Sequence, residues 1–349
     1  MNKKLITAVL ALVSFYGISQ QMPQYSQYLR NQFMVNPAAA GVYDFTDITV
    51  SGRWQWVGFD NTPKTAYASM STVLGQKKRD TYNPGIRTSV VGDETPEVNT
   101  GRLKHALGGQ VIADQYGAFQ KINLSGTYAI HLPISTNFNL AFGAKVGLTN
   151  NTFLQDRAVT LIPGSDATYQ TFVANQSNKF NLDIGAGFYL YSRKVFVGVS
   201  ADQLTGDMVE FGSGTAFFDR QIHMMLTGGV KIPIGTNLEL TPAVLVKFMN
   251  PAPLSIEGSL QLEYKQRYWF GASYRHQDAV VGMVGMNLNA RFKFGYSFDF
   301  SINRYNTYKS GGHELVLGIM LGRNRPGANP PESESTPAPG STTTTPTTF

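Results

Sequence analysis

The chain has no cysteine, which excludes disulfides, thiolate metal sites and a lipid-bearing cysteine behind an export signal. It also lacks, anywhere beyond its first segment, an apolar run approaching the ~18 residues that a membrane-crossing helix needs. Charged residues make up only 15% of the chain, and the basic ones are scattered; "GQKKRD" (75–80) is the one basic run and reads as a solvated turn. Nucleic-acid binding needs clustered lysine and arginine, so no nucleic-acid partner is expected. The five histidines, His105, His131, His223, His276 and His313, fall on separate elements without metal-ligand spacing. No G-x-S-x-G is present to mark a nucleophilic serine. The expectation is therefore a protein with no catalytic residue, no metal and no cofactor.

What is present begins with "MNKKLITAVLALVSFYGISQQ": two lysines, an apolar run from Leu5 to Tyr16, then Gly17 and Ser19. That is the layout of a secretory signal peptide, residues 1–19, with cleavage after Ser19. Formal charge is +6, and +4 once Lys3 and Lys4 leave with the signal.

From about Thr46 to Gly322 the pattern is strand after strand. In "FNLAFGAKVGL" Phe138, Leu140, Phe142, Ala144, Val146 and Leu148 share one face, opposite Asn139, Ala141, Gly143, Lys145 and Gly147. "LSIEGSLQLEYK" and "RFKFGYSFDFS" repeat the beat, with Leu254 to Tyr264 and Phe292 to Phe300 on the apolar side. A soluble sandwich would also alternate. Most of these strands run to about ten residues or more, however, against a usual ~5–6 in soluble sheets, and their polar faces suit a wet or packed lumen. The reading is an all-β protein, a transmembrane β-barrel of the outer membrane embedded in its lipid.

Fourteen antiparallel strands are expected, near 45–57, 64–75, 103–116, 118–132, 136–150, 180–191, 194–203, 219–233, 237–249, 254–265, 267–276, 278–289, 291–301 and 312–322. An even count is what single-chain bacterial barrels require. Short turns ("PISTN", "YSRK", "PIGTN", "YKQR", "NLNAR") gather at one end, taken as periplasmic, and the long connections 151–179, 204–218 and 302–311 at the other. The connection 76–102 is the exception, long on the short-turn side. Both signs of charge occur on the polar faces, among them Lys145, Asp183, Lys231, Glu239, Lys247, Glu257, Glu263, Arg275, Arg291, Lys293 and Asp299, with Glu257 or Glu263 able to meet Arg275. A self-satisfied lumen network is favoured over an ion-selective pore. The last segment, 323–349, is rich in Pro, Ser and Thr and reads as a disordered periplasmic tail.

Between signal and barrel lies "QMPQYSQYLRNQFMVNPAAAGVYDF". Pro37 restricts φ and Gly41 is free to take positive φ, which marks a turn segment. With Tyr25, Tyr28, Phe33 and Met34 it is apolar but too short to span, so residues 20–44 pack plug-like in the barrel or under its mouth; an exposed partner-binding helix is the alternative.

Specific pieces of this region carry a resemblance: Gln24-Tyr25-Ser26-Gln27-Tyr28, Asn36-Pro37-Ala38 through Gly41, then Arg53, Gln55-Trp56 and Gly58 with Pro63 and Thr65. The far end adds "YWFGASYR" ending in Arg275, "FGYSFDF" with Gly295, Tyr296 and Asp299, and "GGHELVLG" with Gly312, His313 and Glu314. Together these are similar to the PorP/SprF family of outer-membrane proteins from the Bacteroidetes type IX secretion and gliding machinery. The resemblance implies a non-enzymatic role through protein contacts: binding and helping export a type IX cargo protein with a C-terminal sorting domain, or holding a secreted adhesin at the cell surface, by the external loops. It leaves open a core component that docks, through the N-terminal segment and tail, to the periplasmic ring or to peptidoglycan-binding proteins. A passive pore or small-molecule transporter is the reading from another class.

Overall fold

The computed structural model describes residues 24–57, 61–75, 98, 100–158, 169–170, 173, 178–206, 210–211, 221–250, 252–302 and 311–322. The signal segment, Gly58, most of 76–102, most of the three long connections and the tail 323–349 lie outside the described residues.

Strands run β1 Thr46–Trp54, β2 Lys64–Val73, β3 Lys104–Tyr116, β4 Phe119–Pro133, β5 Asn139–Phe153, β6 Asn178–Tyr191, β7 Val195–Asp202, β8 Glu210–Phe211, β9 His223–Val230, β10 Ile232–Ile234, β11 Leu238–Phe248, β12 Ser255–Tyr264, β13 Tyr268–Arg275, β14 Ala279–Asn287, β15 Phe292–Ser301 and β16 Gly311–Leu321. β9 and β10 form one broken stave and β8 is a short ladder beside β6, so the wall is a closed antiparallel barrel of fourteen staves. Each of the fourteen windows read from the sequence holds one stave. Closure joins the ends of the chain: β1 lies against β16 from Thr46↔Leu321 to Trp54↔His313.

The break between β9 and β10 has a local cause. Extending the register of Ala243↔Gly229 and Leu240↔Ile232 sets Pro242 opposite Val230. Proline has no N–H to give the ladder. Lys231 instead turns its own N–H to the Lys194 carbonyl, 2.6 Å away.

The period-two pattern resolves into an outside and an inside. On β5, Asn139, Ala141, Gly143, Lys145, Gly147 and Thr149 point inward and are buried, while Val146 and Leu148 are 55% and 49% exposed on the outer wall. A bilayer supplies the missing contact for such a wall, because the closed ladder leaves no backbone group for water to satisfy. Two polar couples on this outer surface satisfy each other: His105 Nδ1 with the Tyr128 hydroxyl at 2.6 Å, and His313 Nδ1 with the Tyr296 hydroxyl at 2.7 Å.

The connections at the β1 start, 134–138, 192–194, 235–237, 265–267 and 288–291, are short, and the longest ones apart from 74–103 (154–177, 203–222 and 302–310) are at the opposite end. These are called the short-turn and long-loop ends below. Arg291, grouped with the lumen residues from its place in the alternation, instead lies exposed in the turn before β15.

An outer-wall charge at mid-strand tests the lipid contact. Val146→Arg is expected to lower folding free energy into vesicles by about 2–4 kcal/mol, read as a lower urea midpoint, whereas Val146→Leu should leave the midpoint unchanged.

Candidate functional site

Residues 24–45 pair with no strand and thread the lumen from one end to the other. Near the long-loop end, Gln24 Oε1 accepts from Lys247 Nζ at 2.6 Å, and the Ser26 N–H donates to Glu314 Oε2 at 2.8 Å. Lower down, the Tyr28 hydroxyl donates to Ser259 (3.2 Å), Asn31 Nδ2 to Ser69 (2.8 Å), and Ser200 Oγ to the Val35 carbonyl (2.6 Å). The Tyr189 hydroxyl bonds Gln32 Oε1. Close to the short-turn end, His131 Nε2 donates to the Ala40 carbonyl at 2.8 Å, which leaves its Nδ1 to accept from the Tyr191 hydroxyl at 2.9 Å. Lys104 Nζ then holds the Val42 carbonyl (3.2 Å) and Asp44 (3.1 Å), just before the chain enters β1.

Lacking a ladder, the segment satisfies its backbone locally. Three single-turn 3-10 helices, Tyr28–Arg30, Gln32–Met34 and Pro37–Ala39, each close on a bond from the following N–H. Asn36 caps the third: its Oδ1 accepts from the Ala38 N–H at 2.9 Å, and Pro37 sits at the position where a missing N–H costs nothing. The same side chain reaches outward, and Nδ2 donates to the Phe188 and Val199 carbonyls at 2.9 and 3.3 Å. One Asn-Pro pair thus both starts the turn and clamps it to β6 and β7.

The wall is hollowed to receive this plug. A Cβ at Gly187 or Gly198 would strike the Asn36 amide, one at Gly143 the Pro37–Ala38 backbone, one at Gly108 the Phe33 ring and one at Gly295 the Gln27 amide. Gly41 needs its lack of side chain twice, for φ of +75° and for its approach to Ala106. Apolar packing completes the fit: Tyr25, Tyr28, Met34 and Val35 against Tyr67, Met225 and Leu245, and Ala38, Ala39 and Val42 against Ala141, Tyr189, Tyr191 and Phe196. Most of the described plug is enclosed, and Tyr43 and Asp44 are half-buried at the short-turn mouth.

A buried charge cluster locks the long-loop half. Arg53 NH2 pairs with Asp299 at 2.6 Å and its NH1 with Glu314 at 3.3 Å. Arg275 pairs with Glu257 (3.0 Å), Asp278 (3.1 Å) and Asp299 (3.2 Å). Asp299 is therefore shared by both guanidiniums. Ser26 Oγ enters this cluster from the plug, accepting from Arg53 at 2.5 Å and donating to Asp299 at 2.9 Å. Gly312, opposite Asp299 on β16, keeps the neighbouring position free of a side chain. Glu263, the other carboxylate considered for Arg275, pairs instead with Arg30 of the plug at 2.7 Å, whose guanidinium also lies 4.1 Å over the Trp269 ring.

The residues singled out from sequence divide accordingly. Gln24, Tyr25, Tyr28, Asn36, Pro37 and Gly41 belong to the plug, Arg53, Arg275, Asp299, Gly312 and Glu314 to the cluster, and Gly295 to the notch beside Gln27. Tyr296 and His313 are elsewhere, coupled on the outer wall. Gln55 donates its N–H to the Pro63 carbonyl in the β1–β2 connection, and Trp56, 41% exposed, follows at φ of +52°. Gly58 is among the residues not described. Ser26, part of the Gln24–Tyr28 motif, proves to be its link to the charge cluster, while His131, Ser200 and Lys104 are fastenings that no motif marks. Single polar residues on inward strand positions carry no local signal of what will face them.

The architecture and the filled lumen define the class: a plugged transmembrane β-barrel of the outer membrane. Residues 18–319 match the family described as type IX secretion system membrane protein PorP/SprF, and the chain belongs to that family. Membership places it among the membrane components of that system and implies dealings with secretion machinery and cargo. No protein of curated function matches the chain. Among solved structures it is similar to the Acinetobacter baumannii outer membrane protein Omp33, with 11% identity, a TM-score of 0.41, and 80% of this chain and 99% of that one covered. The Pseudomonas putida toluene transporter TodX gives 10%, 0.41, 83% and 92%, and the monoaromatic hydrocarbon channel CymD 10%, 0.44, 87% and 94%. Similarity at that level is of one barrel to another and goes no further.

Two substitutions test the site. Asp299→Ala removes the carboxylate that the two buried guanidiniums share, leaving Arg53 to Glu314 and Arg275 to Glu257 and Asp278, and is expected to cost about 3 kcal/mol, seen as an earlier unfolding midpoint. Gly187→Val fills the seat of Asn36 and should release the plug while the wall stays folded; trypsin then cuts after Arg30, a bond protected in the unaltered protein.

Proposed function

We propose that this protein is a non-enzymatic docking barrel of type IX secretion, which binds, helps export and anchors a secreted surface protein through its external loops. The observation that carries the reading is the occupied lumen. With residues 24–45 fastened at every level from Gln24 at Lys247 to Val42 at Lys104, the barrel offers partners its ends rather than its interior. A rigid wall that holds variable connections at one end is the usual way a scaffold presents a binding surface. The connections 151–179, 204–218 and 302–311 emerge together at the long-loop end, which bacterial barrels turn outward. The rival in which the N-terminal segment docks to a periplasmic ring gains nothing from a segment buried in the lumen.

Affinity purification in mild detergent from the native outer membrane, with the tail tagged, tests this. A large surface protein is expected to co-purify and to be lost when 204–218 and 302–311 are shortened. Retention of the partner after both deletions, or recovery of ring and peptidoglycan-binding proteins alone, would sink the proposal. In planar bilayers the unaltered barrel should pass little current, and a steady large conductance would restore the pore.

A further inference from the structure

The short-turn rim is basic along one arc. Its hairpins carry Arg193 and Lys194 between β6 and β7, Lys265 and Arg267 between β12 and β13, and Arg291 between β14 and β15; the intervening turn 235–237 is uncharged. None of the four turns holds an acidic residue, and none of the five cations makes an ion pair with a described residue. The described connections at the long-loop end mix signs instead, with Asp156, Arg157 and Asp278, the last already bound to Arg275.

Two observations say where these cations point and that their side chains matter. Lys265 Nζ lies 5.4 Å over the Tyr264 ring and the Arg267 guanidinium 5.3 Å over the Tyr268 ring. Both tyrosines belong to the outward-facing set, Tyr264 being 39% exposed on the wall. The charges therefore sit at the barrel's perimeter, where aromatic side chains meet headgroups. The hairpin itself is strained: Lys265 and Gln266 have φ of +48° and +52°, the turn geometry that Asn-Gly would adopt at far lower cost. The contact of Lys265 with the Tyr264 ring offsets part of that cost and holds the ammonium to the outer side of the turn. Arg291 and Lys194 likewise stand directly beside the outward-facing Phe292 and Val195. Such short turns hold a cation at phosphate height rather than lifting it into the water.

We propose that this arc binds the phosphate-bearing headgroups of anionic phospholipid in the leaflet at the short-turn end. Cations near a membrane surface each favour an anionic lipid by about fivefold, so the arc would recruit a collar of such lipid to one side of the barrel. The inference does not depend on what the external loops bind.

The test uses the full-length protein purified in micelles doped with equal phosphatidylglycerol and phosphatidylcholine, with retained lipid counted by native mass spectrometry. Phosphatidylglycerol is expected to be retained several-fold over phosphatidylcholine, with the preference collapsing in high salt and in a variant with all five cations changed to glutamine. Should that variant fail to fold, Lys265→Asn with Gln266→Gly relieves the turn and removes one cation; it should be at least as stable and show a lower preference. Equal retention of both lipids by the unaltered protein, or a preference that survives in the folded variants, overturns the proposal. So does salt-sensitive capture of an acidic soluble protein by this arc with no lipid preference.

Discussion

Every backbone N–H and C=O that enters the bilayer must find its partner within the sheet, because nothing in the hydrocarbon can replace water. That constraint forces the first strand onto the last, and β1 meets β16 in a continuous register from Thr46↔Leu321 to Trp54↔His313. The seam is also where the side chains concentrate their strongest interactions. Arg53 and Glu314 are direct register partners across it, Asp299 is one strand further on, and Ser26 of the plug bonds all three. Closing the wall and seating the plug are thus parts of one arrangement, since the same carboxylates serve both.

Burying so many charges is costly, and the arrangement offsets the cost by sharing. Asp299 accepts from two guanidiniums and a hydroxyl, and Arg275 reaches three carboxylates. A buried network of this kind adds little net stability over an apolar core of similar shape, but losing one member leaves the others uncompensated. It therefore favours one seating of the plug over near alternatives. The wall glycines act in the same sense, by shape: an Asn36 that fits only where Gly187 and Gly198 leave room has one place to sit.

The interior holds the plug and the outer wall faces lipid, with its His–Tyr couples satisfied pairwise, and the two ends differ in length of connection. In the function proposed here, soluble partners would meet the long connections and anionic lipid the basic arc, with the rigid wall holding the two ends in fixed register.

Alternation made the barrel legible. Phe138 to Leu148, Leu254 to Tyr264 and Phe292 to Phe300 each declare which side faces lipid, because the side-chain period of a strand is two and does not depend on its neighbours. The turn at Asn36-Pro37 and the need for Gly41 were readable for a similar reason, being demands of local backbone geometry. Which charges would meet was not. Arg275 lay within reach of two carboxylates by sequence and took Glu257, while Glu263 went to Arg30 from a segment more than two hundred positions away. Arg291 shared the lumen's parity but fell in a turn, since parity has no say over where a strand stops. By itself the sequence determined the faces, the number of staves and the family. Only the tertiary structure decided that the segment before β1 fills the lumen and which side chains fasten it, because those contacts join residues whose proximity is created by closing the sheet.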